Sequence, residues 1–291
     1  MRRPWRRASR PSPLDPLRAD PTGRALGLDL PPGRLCHATL HGRSAVPLMW
    51  CSDTPAEPGQ WARLAAATRG TGRYPLLLGG GTGYERGPRE EVPWRGRLAP
   101  RFVTDPDAFD ADRVLAEAWP RYVPDDGEDE LDDRGRPLTL APFGPRWPGP
   151  AAPCALAGTD PEATAADLAD ALLAAGTLIH PRLGLAPAPR GADVLTAVGW
   201  TGQVNLHTDP APYTAVLRRW EDRYGARLIA LTDDTLHLSV AAPPRTPEHA
   251  LALAAEHFAF CPDGILQGSG TLAAYAAEAV LDQPSWCFWW D

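Results

Sequence analysis

The sequence predicts an α+β protein, with antiparallel or mixed sheets flanked by helices and organised as two subdomains. Three observations predict it. Short apolar runs bounded by turn residues alternate with capped, amphipathic helical stretches. The second half reads α-β-β-α-α-β, with two strands joined by a turn too tight for a parallel crossover. Between the halves, D-D-G-E-D-E-L-D-D (residues 125–133) places seven acids in nine residues, followed by Pro137, Pro142, Pro145, Pro148, Pro150 and Pro153. Like charges repel and prolines remove backbone donors, so 124–153 is expected to be a linker. The chain then divides into a disordered or irregular Arg/Pro-rich start (1–33), an N-terminal α+β domain (34–123), the linker (124–153) and a C-terminal α+β domain (154–291).

In the first half, R-L-C-H-A-T-L (34–40) and A-V-P-L-M-W-C (45–51) read as strands around the turn 41–44. Pro58 to about Thr68 is expected to be helical, with Trp61, Leu64 and Ala65 on one face. R-Y-P-L-L-L-G-G-G-T-G gives a short strand ending in glycines. A helix from Asp110 to about Trp119 closes the half.

The second half carries clearer punctuation. Asp160 caps a helix with Pro161 at its first position and Gly176 after its end. A-D-V-L-T-A-V is a short helix stopped by Gly199. Asp209 caps the next helix, where Tyr213, Val216, Leu217, Trp220 and Tyr224 form one apolar stripe and Gly225 ends it. A-R-L-I-A-L and T-L-H-L-S-V are hairpin strands. A helix starts at Thr246–Pro247 and runs to about Cys261, a further one covers T-L-A-A-Y-A-A-E-A-V, and S-W-C-F-W-W-D is an aromatic strand.

Composition narrows the function classes. The 29 basic residues are all Arg, which with the high Ala content points to a GC-rich genome, and the net charge is −7. An acidic surface is unsuited to holding phosphates, so nucleic-acid binding is not expected. M-R-R-P-W-R-R-A-S-R puts five Arg into the first ten residues, but it lacks an apolar signal core and reads as a solubilising tail. No run spans a bilayer. Five Cys without regular spacing fit a reducing compartment, and a cytoplasmic location is expected.

W-T-G-Q-V-N (200–205), V-L-R-R-W-E-D-R-Y-G-A-R-L (216–228), L-S-V-A-A-P-P (238–244), A-E-H-F-A-F-C-P-D (255–263) and the terminal F-W-W-D (288–291) stand in one order along the chain. Over about 195–291 the sequence resembles the bacterial family called domain of unknown function 4253. A weaker similarity covers about 46–100, in P-L-M-W-C-S-D and T-G-R-Y-P-L-L-L. The resemblance implies a soluble bacterial, actinobacterial protein. It implies no reaction and carries over no catalytic residue.

Candidate chemistry rests on few residues. His257 and Cys261 are four apart, a spacing open to a nucleophile with its base or to paired metal ligands. Ala250, Leu251, Ala254 and Phe258 share the side of Cys261, so a structural helix end is the favoured reading. His237 alternates with Thr235 and Ser239 on a strand face expected to meet water. Cys36, His37, His41 and Cys51 do not make a zinc site, because Cys36 and His37 point to opposite faces of a strand. G-G-G-T-G (79–83) lacks the Lys of a P-loop and the final Gly of a dinucleotide fingerprint. No metal or cofactor is expected.

The C-terminal strand sends Trp286, Phe288 and Trp290 one way and Cys287 and Trp289 the other. Both faces call for cover, so a central or well-shielded strand is expected. Two function classes follow. The favoured one is a non-enzymatic, immunity-like or regulatory interaction module, with Trp286, Trp289 and Trp290 as partner-binding candidates. The other is an enzyme with a site between the subdomains, using His257, Cys261, His237 or Asp291.

Overall fold

Strands from both halves of the chain join one seven-stranded sheet. The computed structural model describes residues 12–37, 46–80, 94, 98–100, 103–123, 139–203 and 208–290. The strands are β1 (Gly33–Cys36), β2 (Met49–Pro55), β3 (Tyr74–Gly80), β4 (Ile179–Ala186), β5 (Ala226–Leu231), β6 (Thr235–Val240) and β7 (Ser285–Trp289). Their spatial order is β1-β2-β4-β3-β5-β6-β7, antiparallel throughout except for the parallel β3/β5 pair. The sheet is therefore mixed, in an α+β fold.

The helices are α1 (Gln60–Thr68), α2 (Ala111–Tyr122), α3 (Pro161–Ala174), α4 (Val194–Val198), α5 (Ala211–Tyr224), α6 (Pro247–Phe260) and α7 (Leu272–Tyr275), the last continuing as a π turn over Ala276–Val280. Local chemistry sets their starts. Asp160 accepts from the Glu162 and Ala163 amides, Thr246 from His249, and Asp110 from Arg113, satisfying first-turn donors. Gly225, at φ +62°, ends α5 in the left-handed region where a Cβ is strained. No helix among the described residues is long and apolar enough to cross a membrane.

Helices α1 and α3 cover one face of the central strands, where Trp61, Ala165, Ala169, Leu172, Leu77 and Ile229 pack together. The other face carries the larger core, beneath α2, α4, α5 and α6. A bulge in β5 between Leu228 and Ala230 shifts the alternation, so Leu228 and Leu231 both face this larger core while Ile229 and Ala230 face α3.

Four expectations are corrected. The split into two subdomains does not carry into the sheet, because β3 pairs with β4 and β5 from the other half. A charged run shows only that those residues stay out of a core; it says nothing about which strands pair across it. Within the expected linker, 124–138 lie outside the described residues, but 139–153 are packed. Leu140 and Ala151 are buried, and the Ala151 and Ala152 carbonyls accept from Arg223 and the Tyr224 hydroxyl. Prolines prevented helix there without preventing burial. Residues 1–11 of the Arg-rich start also lie outside the description, whereas 12–33 pack through Leu14, Leu17, Leu28 and Leu30 against Trp50, Leu183 and Leu185. Finally, β7 is an edge strand, with one buried face and an exposed Cys287 on the other.

One element was not anticipated. Strand β4 contains Pro181 and Gly184, residues that normally interrupt strands, and yet it lies between β2 and β3. Pro181 sits near its irregular end, where its carbonyl accepts from the Ala56 amide at 2.8 Å. Gly184 is where Leu78 crosses the strand: a Cβ there would stand 2.7 Å from the Leu78 side chain.

Candidate functional site

His257 is fully buried in α6, ringed by Trp220, Trp286, Phe288 and Tyr275 at centroid distances of 5.0, 4.6, 4.9 and 5.8 Å. Its Nδ1 lies 3.2 Å from the Tyr275 hydroxyl, and Nε2 has no hydrogen-bond partner among the described residues. Burial in this aromatic cage pushes its pKa down to about 3, so the ring is neutral in the folded protein.

Cys261 does not share a helical face with His257. Helix α6 ends at Phe260, and Cys261 is the extended residue that follows, with its amide donating to the His257 carbonyl at 2.7 Å. Its thiol points to β7 and donates to the Trp289 carbonyl at 3.0 Å. Burial, foremost, and then Asp263 push that thiol up, away from the nucleophilic thiolate. In the native protein Cys261 is therefore expected to resist iodoacetamide while the exposed Cys287 is alkylated; the order is read by peptide mapping. Rapid labelling of Cys261 would contradict this placement.

His237, expected to meet water, is instead half-buried on the face of β6 that α3 approaches. The outward strand face is covered by a helix from an earlier stretch of chain, and burial pushes its pKa down to about 4. Both imidazoles are thus neutral when folded and ordinary, near 6.5, when unfolded. Below that value the unfolded chain binds the extra protons, so stability should fall as pH drops from about 6.5 towards 5. For His257 the slope is about 1.4 kcal/mol per pH unit once the unfolded imidazole is fully protonated. Urea midpoints between pH 7.5 and 5 measure it, and a flat profile would contradict the buried neutral rings.

The three partner-binding tryptophans separate. Trp286 and Trp290 are buried, 2% and 3% exposed, and belong to the core; only Trp289 is half-buried. Asp291 lies outside the described residues, as does His41. Among the described residues, no group of three or more His, Cys, Asp or Glu is placed to hold a metal ion. His237, His257 and Cys261 occupy three different surroundings, so they form no joint acid–base cluster.

Glu256, next to His257, is a fully buried carboxylate. Its Oε1 accepts from the Ala151 amide at 2.8 Å, its Oε2 from Trp220 Nε1 at 2.7 Å, and Arg223 Nη1 stands 3.5 Å away. It ties the 139–153 strap to α5 and α6. Much of the quoted W-E-D-R-Y and A-E-H-F-A-F-C-P-D stretches is thereby absorbed into one internal frame.

An opening exists elsewhere. Helix α2, the start of α5 and the end of α6 enclose a recess of about 120 Å³. Phe109, Val114, Ala118, Pro212 and Phe260 give it an apolar wall, with Tyr122 and Tyr213 beside them. Burial raises both tyrosine hydroxyls above the ordinary phenol range, so they stay neutral. The exposed side chains of Glu117 and Arg121 stand at its border. None of His237, His257 and Cys261 is on its wall. A larger groove of about 410 Å³ lies between residues 27–31 and α1, edged by Asp29, Gln60 and Arg63 and holding no histidine or cysteine. The sequence contained the apolar side of α2 and named Tyr213 in its stripe. It had no signal that the two would face each other.

Comparisons with curated proteins and with solved structures give no match. Among protein families, residues 182–291, from within β4 to the end of the chain, match Domain of unknown function (DUF4253), the family that the C-terminal half resembles.

Proposed function

We propose that this protein is a non-enzymatic interaction module, immunity-like or regulatory, that grips a basic protein partner by taking one apolar side chain into the recess between α2, α5 and α6. The observation that carries this reading is the size and lining of that recess. At about 120 Å³ it falls well below the ~300–1,000 Å³ of small-molecule and cofactor sites, and it suits a single aliphatic or aromatic group. Apolar pockets that receive one anchor side chain dominate the energetics of many protein interfaces. Charge supports the basic partner: the net charge is −7, and the chain leaves α2 at Tyr122 and enters the seven-acid run at Asp125. An acidic chain favours the encounter with a cationic partner.

Affinity capture from the native host, with Val114→Trp as the blocked form, tests it. The wild-type protein should retain a basic protein that Val114→Trp loses, and raised salt should weaken the capture. Undiminished capture by a folded Val114→Trp variant would overturn the assignment of the recess.

A further inference from the structure

Cys36 and Cys51 meet across the β1/β2 hairpin. Cys36 lies opposite Met49 and Arg34 opposite Cys51, so the two cysteines are diagonal neighbours on the same face of the sheet. Cys51 is part of the larger core, 2% exposed, and Cys36 packs against that core while remaining half-buried on the edge strand. Both thiols are free, and the Cys51 thiol donates to the Ser52 carbonyl at 3.5 Å.

We infer that Cys36 and Cys51 are a redox-modifiable dithiol, in which Cys36 attacks a small-molecule disulfide and Cys51 resolves the product into an intramolecular disulfide. The roles differ because the surroundings differ. The neighbouring Cys51 thiol, and then the charge of Arg34, favour the Cys36 thiolate, while the nearness of Cys36 and then burial hold the Cys51 thiol up. Cys36 also has the more open position, on the edge strand.

The exchange balances without a further reactant. The Cys36 thiolate attacks one sulfur of RSSR, forming Cys36–S–S–R and releasing RS⁻. Once Cys36 is capped, its thiolate no longer holds the proton on Cys51. Cys51 then deprotonates and attacks Cys36 Sγ, forming the Cys36–Cys51 bond and releasing a second RS⁻. The two protein thiols are oxidised, RSSR is reduced, and their two protons finish on two RSH. Diagonal cross-strand pairs stand about 7–8 Å apart, past the ~7 Å beyond which a disulfide needs backbone movement. Closing the bond therefore draws in the edge strand β1 and leaves a strained bond that reducing thiols reopen.

The test uses the full-length protein and oxidised glutathione near neutral pH. Free thiols are then trapped with N-ethylmaleimide and the peptides mapped by mass spectrometry. The expected product is a Cys36–Cys51 cross-linked peptide pair, two hydrogens lighter and reversed by dithiothreitol. Cys51→Ser should stop at glutathione on Cys36, and Cys36→Ser should leave Cys51 unmodified. Recovery of both residues as maleimide adducts from the wild type would overturn the inference. So would glutathione persisting on wild-type Cys36, or appearing on Cys51 in a folded Cys36→Ser variant. If either variant fails to fold, the wild-type map alone decides.

Discussion

Trp220→Ala should lower the stability by about 3–5 kcal/mol, the range for truncating a large buried aromatic. The indole is fully buried at the centre of the larger core. It stacks on Phe288 at 5.4 Å with the planes 16° apart, and it meets Phe260 at 4.8 Å, His257 at 5.0 Å and Trp286 at 5.6 Å. Its Nε1–H also supplies one of the donors on Glu256. Truncation therefore leaves both a cavity and an unsatisfied buried carboxylate oxygen. Trp220→Phe shifts the balance between the two effects, since it keeps one six-membered ring and leaves a smaller cavity while still removing the donor. That variant should lose about 1–3 kcal/mol. Urea midpoints read both, and a Trp220→Ala midpoint close to the parent's would mean the α5 stripe is not core.

Glu256→Ala should cost a similar amount, about 3–5 kcal/mol, because it breaks a buried pair and leaves its partners behind. The Ala151 amide and the Trp220 indole would lose their acceptors, and Arg223, only 17% exposed, would lose its nearby charge. The cost has a direction as well as a size. Both carboxylate oxygens receive donors, so Glu256→Gln must present its NH₂ to an N–H or reorient. That mismatch should cost about 1–3 kcal/mol, less than the alanine. A Gln variant as damaging as Ala would point to the charge, not the donor pattern, as what matters. An unaffected Ala variant would contradict the network.

The contrast between legible and hidden features has physical causes. The α5 stripe, the Asp160 and Thr246 caps and the β5/β6 hairpin depend on neighbours within a few residues, and each formed within a residue or two of its expected place. Strand β4 was hidden because Pro181 and Gly184 are breakers by local rules, while their fit depends on Ala56 and Leu78 far along the chain. The aromatic period of β7 was readable, but not its position at the sheet edge, which follows from the order of all the strands. Cys261 illustrates the same limit on a smaller scale. Four-residue spacing suggested a shared face with His257, and the helix stopped one residue too early for that. The recess was hidden most completely, because α2 and the ends of α5 and α6 come together only in the folded chain.

The central structural claim is that strands from both sides of the acidic segment make one sheet and one core, and thus one cooperative unit. Hydrogen exchange across a urea series, followed by mass spectrometry, tests this most directly. Peptides covering β2 and β3 should lose protection at the same midpoint as peptides covering β5, β6 and α6, because β3 is hydrogen-bonded between β4 and β5. Protection of β5–β7 and α6 persisting after β2 and β3 have opened would contradict it and restore two independent halves.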